Sequence, residues 1–176
     1  GDLTQSRRQF GGCSDGIRGV FFGGLISTPS SASSKTIDFV TIATTGDATN
    51  FGELVREAQA NTAASDPTRG LVFGAYSQQN SASYNIIQYV TISTTGNAQE
   101  FGSLSIPRYA VASVASSTRA VTGGGYDATT YYNVIEYVTI QTLGNSTDFG
   151  DLVALTSHPG AVSNSLRGVF GGGYIS

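Results

Sequence analysis

Ile87 to Leu104 reads IQYVTISTTGNAQEFGSL. Two other stretches repeat it: IDFVTIATTGDATNFGEL from Ile37 to Leu54, and IEYVTIQTLGNSTDFGDL from Ile135 to Leu152. Each copy holds two β-prone runs joined by a turn at Gly46, Gly96 or Gly144, where Asp or Asn follows the glycine. In the first run Ile37 and Phe39 point to one face, and Val40 and Ile42 to the other. A strand apolar on both faces belongs to a sheet covered on both sides. Gly1 to Leu3, GDL, is the tail of a fourth copy.

Outward from these copies lies a second signature. It reads RGVFFGG from Arg18, RGLVFGA from Arg69, RAVTGGG from Arg119 and RGVFGGG from Arg167. Leu3, Leu54, Leu104 and Leu152 each precede one of these arginines by 15 residues. The Ile-to-Leu interval is always 17 residues, and only the Arg-to-Ile interval varies, as 19, 18 and 16. The period is therefore 51, 50 and 48 residues, with all length variation in one segment. The repeats run 1–51, 52–101 and 102–149, with a partial copy over 150–176.

Each repeat predicts four strands. In the first they cover Gln9 to Ser14, Gly19 to Phe22, Thr36 to Ile42, and the surroundings of Phe51 to Leu54. Asp15, Asp66, Ser116 and Asn164 hold equivalent turn positions, where a short polar side chain bonds its own backbone. The paired glycines give close backbone approach or positive φ where the second strand ends. Four antiparallel strands recurring every 50 or so residues point to blades of an all-β propeller.

The repeat resembles the kelch motif: apolar strand, Gly-Gly, variable loop, apolar strand, polar turn, aromatic, Leu. Kelch repeats usually carry Trp where Phe51, Phe101 and Phe149 stand. They often carry Arg where Arg7 and Arg108 stand, but Ala58 and Thr156 fill those places in the other copies. The wording is more narrowly similar to kelch-like repeats in large virion structural proteins of tailed bacteriophages of the cyanophage type. That resemblance spans the chain and implies a virion or extracellular setting, but it brings no catalytic motif. Three and a half blades do not close a ring. Further repeats of a longer chain, other copies of the protein, or tolerance of one short blade would resolve this, and the absence of Met predicts a processed chain or a segment of a longer one.

Composition excludes other classes. A single Cys forms no intrachain disulfide, and one His with one Cys makes no His/Cys zinc site. A net charge of −3 argues against a nucleic-acid partner. No apolar run reaches membrane-spanning length, so no membrane insertion is expected. His158 has no nucleophile placed beside it by any motif, and Asp47, Asn50, Glu53, Asp148 and Asp151 lack the ligand density of a calcium loop. No catalytic residue, metal or cofactor is expected.

Two residue sets invite a binding role. Arg18, Arg69, Arg119 and Arg167 could contact anions bidentately, or could instead cover their turns and bond carbonyls of the next blade. The variable segments (Leu25 to Thr36, Tyr76 to Ile86, Tyr126 to Val134) carry Tyr76, Tyr84, Tyr126, Tyr131 and Tyr132 among Ser, Asn, Gln and Thr. That mixture suits recognition of a host-surface glycan or protein. The sequence thus predicts a non-enzymatic structural and recognition module of a phage virion, a tail fibre or decoration component. A non-viral lectin-like or protein-binding propeller is the alternative.

Overall fold

Tight turns set the repeat. Asp15 Oδ1 accepts the N–H groups of Ile17 and Arg18 at 2.8 and 2.7 Å. Asp66 does the same for Thr68 and Arg69, Ser116 for Thr118 and Arg119, and Asn164 for Leu166 and Arg167. Each side chain thus closes the hairpin between two strands, as a short polar residue in a turn should.

The computed structural model describes residues 1–27 and 31–175, so the first variable segment lies partly outside the described residues. The first repeat contains β1 (Gly11–Ser14), β2 (Arg18–Phe22), β3 (Leu25–Ile26), β4 (Ala32–Ser33), β5 (Thr36–Thr41) and β6 (Thr49–Glu53). The second contains β7 (Thr62–Ser65), β8 (Arg69–Phe73), β9 (Ala75–Ser77), β10 (Ala82–Tyr84), β11 (Ile86–Thr91) and β12 (Gln99–Ser103). The third contains β13 (Ala112–Ala115), β14 (Arg119–Gly123), β15 (Val134–Thr139) and β16 (Thr147–Asp151). The last residues form β17 (Thr156–Ser157), β18 (Gly160–Ser163), β19 (Gly168–Gly171) and β20 (Tyr174–Ile175). Among the described residues there is no helix.

The described residues are all-β and build three four-stranded antiparallel sheets: β1-β2-β5-β6, β7-β8-β11-β12 and β13-β14-β15-β16. Strand bounds agree with the sequence reading to within two residues. The variable segments differ from the expected plain loops, because β3–β4 and β9–β10 form small two-stranded ribbons there. Each third strand carries a register shift, directly after Ile37, Ile87 and Ile135. The bulge twists the outer strand of the sheet.

The sheets pack face to face. Val20, Phe22, Ile37, Phe51 and Leu54 of the first meet Val72, Val90, Ile92 and Ala98 of the second. Leu71, Phe73, Ile87, Phe101 and Leu104 of the second meet Val111, Ala120, Val138 and Ile140 of the third. The second sheet is therefore buried on both faces, as its doubly apolar strands demand. The first strands β1, β7, β13 and β18 lie side by side in sequence order. Just before them, Ala60 N–H donates to Gln9 O, Ala110 N–H to Ala60 O, and His158 N–H to Ala110 O, each at 2.8 Å. One backbone hydrogen-bond chain thus links all four copies.

Candidate functional site

Residues that follow strand two and residues that precede strand one meet at one end of the molecule. Tyr76 pairs in antiparallel fashion with Gln59, and Tyr126 with Tyr109. The pairing is dictated by the glycine corner. Gly74 and Gly124 take φ of +61° and +72°, turning strand two toward the next repeat. The following N–H groups, of Ala75 and Gly125, donate to Arg108 O and Thr156 O at 3.1 and 2.8 Å.

This register lines up four rings. Tyr76 and Tyr109 have centroids 5.0 Å apart, Tyr109 and Tyr126 5.6 Å, and Tyr126 and Tyr131 4.7 Å. The contacts are tilted or edge-to-face, the favoured geometry for aromatic pairs. Burial, with neighbouring phenols and Asp127 adding to it, holds the Tyr109 hydroxyl above its ordinary pKa. Gln78 and Gln79 stand exposed just beyond Tyr76.

A built loop supports the far end of the row. Asp127 Oδ1 accepts the N–H groups of Thr129 and Thr130, both at 2.8 Å, and the Thr129 hydroxyl at 2.7 Å. Tyr132 donates its phenol to Asp127 Oδ2 at 2.6 Å, and Tyr126 donates to Ala128 O at 2.7 Å. The bonds from Tyr132 and Thr129 hold the Asp127 carboxyl far below its usual range, and the same contact raises the Tyr132 phenol.

No protein-family model matches the chain, and no curated protein matches it.

The predicted residues therefore divide. Tyr76, Tyr126 and Tyr131 come together in the row, joined by Tyr109, which the sequence reading did not single out. Its repeat phase was the available signal: it is equivalent to Gln59, which faces Tyr76. Tyr132 braces the Asp127 loop. Tyr84 stands in a separate cluster, where Asn80 donates to its hydroxyl at 2.8 Å and the Arg56 guanidinium lies 5.1 Å over its ring.

Three of the four recurrent arginines are engaged within the fold. Arg18 Nη1 donates to Ile92 O and Arg69 Nη1 to Ile140 O, both at 3.0 Å. Arg18, Arg69 and Arg119 also cap the rings of Phe39, Tyr89 and Tyr137 at 4.8, 4.9 and 4.5 Å. Arg167 is exposed. The polar turn after strand three ties neighbouring repeats together. Asp47 accepts Asp2 N–H, and Asn97 and Asn145 accept those of Glu53 and Ser103. Burial pushes the Cys13 thiol up to about 12, which keeps it protonated and a poor nucleophile at neutral pH. His158 packs edge-on against Tyr174. Among the described residues, no group of three or more His, Cys, Asp or Glu is placed to hold a metal, and no helix is long and apolar enough to cross a membrane.

Proposed function

We propose that the chain is a run of kelch-like propeller blades serving as a non-enzymatic recognition module in a bacteriophage virion, with the tyrosine row as its contact surface for host-surface saccharide. The row carries the reading. Four consecutive rings give a rigid, amphipathic strip with little side-chain entropy to lose on contact. A sugar's C–H faces pack on the electron-rich ring faces, while phenols and the neighbouring Gln78 supply hydrogen bonds. The propeller reading is supported by the side-by-side first strands and by the hydrogen-bond chain through Gln9, Ala60, Ala110 and His158. The virion setting rests on the wording of the repeat, and detection of the chain in purified particles tests it.

A glycan array tests the surface. Saturable binding to a defined glycan is expected, with a loss of about 30-fold or more in Tyr126→Ala/Tyr131→Ala, the size of a hot-spot truncation. Tyr84→Ala, outside the row, should bind as the parent does. Array binding that survives the double substitution, or none above background, overturns the reading.

A further inference from the structure

The tyrosine row lies where strand two of each repeat finishes. At the opposite end, where strand two begins and the turn after strand three lies, there is a different kind of hollow. In the second repeat it measures about 340 Å³ and is lined by Arg69, Tyr89, Thr94, Thr95, Asn97 and Gln99 among others. Such a volume suits a ligand the size of one sugar unit.

Its walls are fixed by the repeats on both sides. Gly96 N–H donates to Phe51 O and Ala98 N–H to Glu53 O, both at 2.8 Å, and Asn97 Oδ1 accepts Glu53 N–H at 3.0 Å. The turn is thus clamped to the first repeat. Arg69 is held by the third, because its Nη1 donates to Ile140 O at 3.0 Å while the guanidinium lies over the Tyr89 ring.

What remains free in the hollow is rich in donors. With Nη1 used, Arg69 keeps its Nε–Nη2 edge, and it takes part in neither ion pair among the described residues. That edge matches a carboxylate in bidentate fashion. Tyr89 donates its phenol to Gln99 Oε1 at 2.6 Å, which leaves the Gln99 amide nitrogen to donate. Thr94 and Thr95 add hydroxyls that both donate and accept. No carboxylate is among the residues that line the hollow. Asp66, in the turn before Arg69, is occupied by the N–H groups of Thr68 and Arg69 and by the Gln141 amide.

The other repeats lack this set. The first has Phe39, Asp47 and Thr49 in place of Tyr89, Asn97 and Gln99, and Asp47 puts a carboxylate in the hollow there. The third has Leu143 and Thr147 in place of Thr95 and Gln99.

We propose that the hollow of the second repeat binds the carboxylate-bearing unit of an acidic glycan, a uronic acid. Arg69 takes the carboxylate, and Thr94, Thr95 and Gln99 take the ring hydroxyls. A neutral sugar forgoes the charge-assisted bonds to Arg69, and a bare carboxylate forgoes those to the hydroxyls and the amide.

The test is an NMR titration of the whole chain at neutral pH and low salt with glucuronate and galacturonate, against glucose, galactose and acetate. Saturable shifts of the Thr94–Gln99 amides are expected with at least one uronate. The neutral sugars and acetate should bind about tenfold or more weakly. No saturable shift with either uronate overturns the site. Equal affinity for the neutral sugars overturns the role of Arg69, and equal affinity for acetate overturns the assignment to a sugar. Arg69→Gln should lose about tenfold or more, but it also drops the bond to Ile140. Thr95→Leu/Gln99→Thr keeps that bond, installs the residues of the third repeat, and should lose as much. Undiminished binding in this double variant overturns the site. Tyr126→Ala/Tyr131→Ala should bind the uronate as the parent does. Loss of binding there would put the uronate on the tyrosine row and overturn the proposal.

Discussion

Arg108 is fully buried, with its guanidinium 2.6 Å from Glu136. The carboxylate also accepts Ser146 Oγ–H at 2.7 Å and Ser105 N–H at 2.9 Å. Burial acts to raise this carboxyl, but the bonds from Ser146 and Ser105 and the Arg108 charge outweigh it and hold it below its ordinary value. Removing one partner strands the other charge, whereas removing both can be nearly neutral. Arg108→Ala should therefore cost about 3–5 kcal/mol in urea unfolding. Arg108→Ala/Glu136→Gln rebuilds the Ala58 and Gln88 pair of the second repeat, and it should recover most of that loss. If the double variant is no more stable than the single, the charge argument is wrong. The pH dependence has a fixed sign. A carboxyl held lower in the folded state contributes stability above its unfolded pKa, and that contribution fades as pH falls through the folded value. Acid titration from about pH 5 downward should cost the parent more stability than Glu136→Gln.

At the scale of the element, the corner after strand two decides whether consecutive repeats can meet. Gly124 has φ of +72°, and a Cβ there would lie 2.6 Å from Thr156 O. Gly124→Ala should destabilise the fold by more than about 1 kcal/mol, since strain and clash add. Gly160→Ala should change stability by no more than about 0.5 kcal/mol, because its Cβ would meet only Gly171 O, at 3.7 Å. Thermal melts of the two variants check the contrast, and equal melting points would refute the role given to the corner. Such corners were legible in the sequence, because only glycine tolerates them cheaply and it recurs in phase. The four strands per repeat were legible for a similar reason: a run such as Ile87 to Ile92 is apolar on both faces and too short for a helix. Other features left no compositional mark. Gln9, Ala60, Ala110 and His158 all take φ between 50° and 59°, yet no glycine announces it. Their strain is offset by the hydrogen-bond chain between repeats, which is a tertiary effect. Tyr109 was missed because it precedes a first strand rather than lying in a variable segment. The ribbons β3–β4 and β9–β10 went unseen because their strands are only two or three residues long, too short for an alternating pattern, and several of those positions are Ala or Ser.

At the scale of the whole molecule, one interface is built twice among the described residues. Val90 and Ile92 of the second sheet and Val138 and Ile140 of the third are buried by the preceding sheet. Ile42, equivalent to Ile92 and Ile140, is 53% exposed, with no sheet packed over it among the described residues. At the other end Val162 and Val169 are 70% and 58% exposed. Such an array is close to one-dimensional: each sheet is stabilised by its neighbours, and side chains at the open ends contribute least. The same Ile→Ala change should therefore have different costs along the chain. Ile92→Ala deletes a fully buried side chain between two sheets and should cost about 2–5 kcal/mol. Ile42→Ala removes a half-exposed one and should cost under about 1 kcal/mol. Chemical denaturation of both variants at low protein concentration measures the difference. Equal costs would mean that Ile42 is covered in solution, and hence that a neighbouring sheet caps the open face of the first repeat.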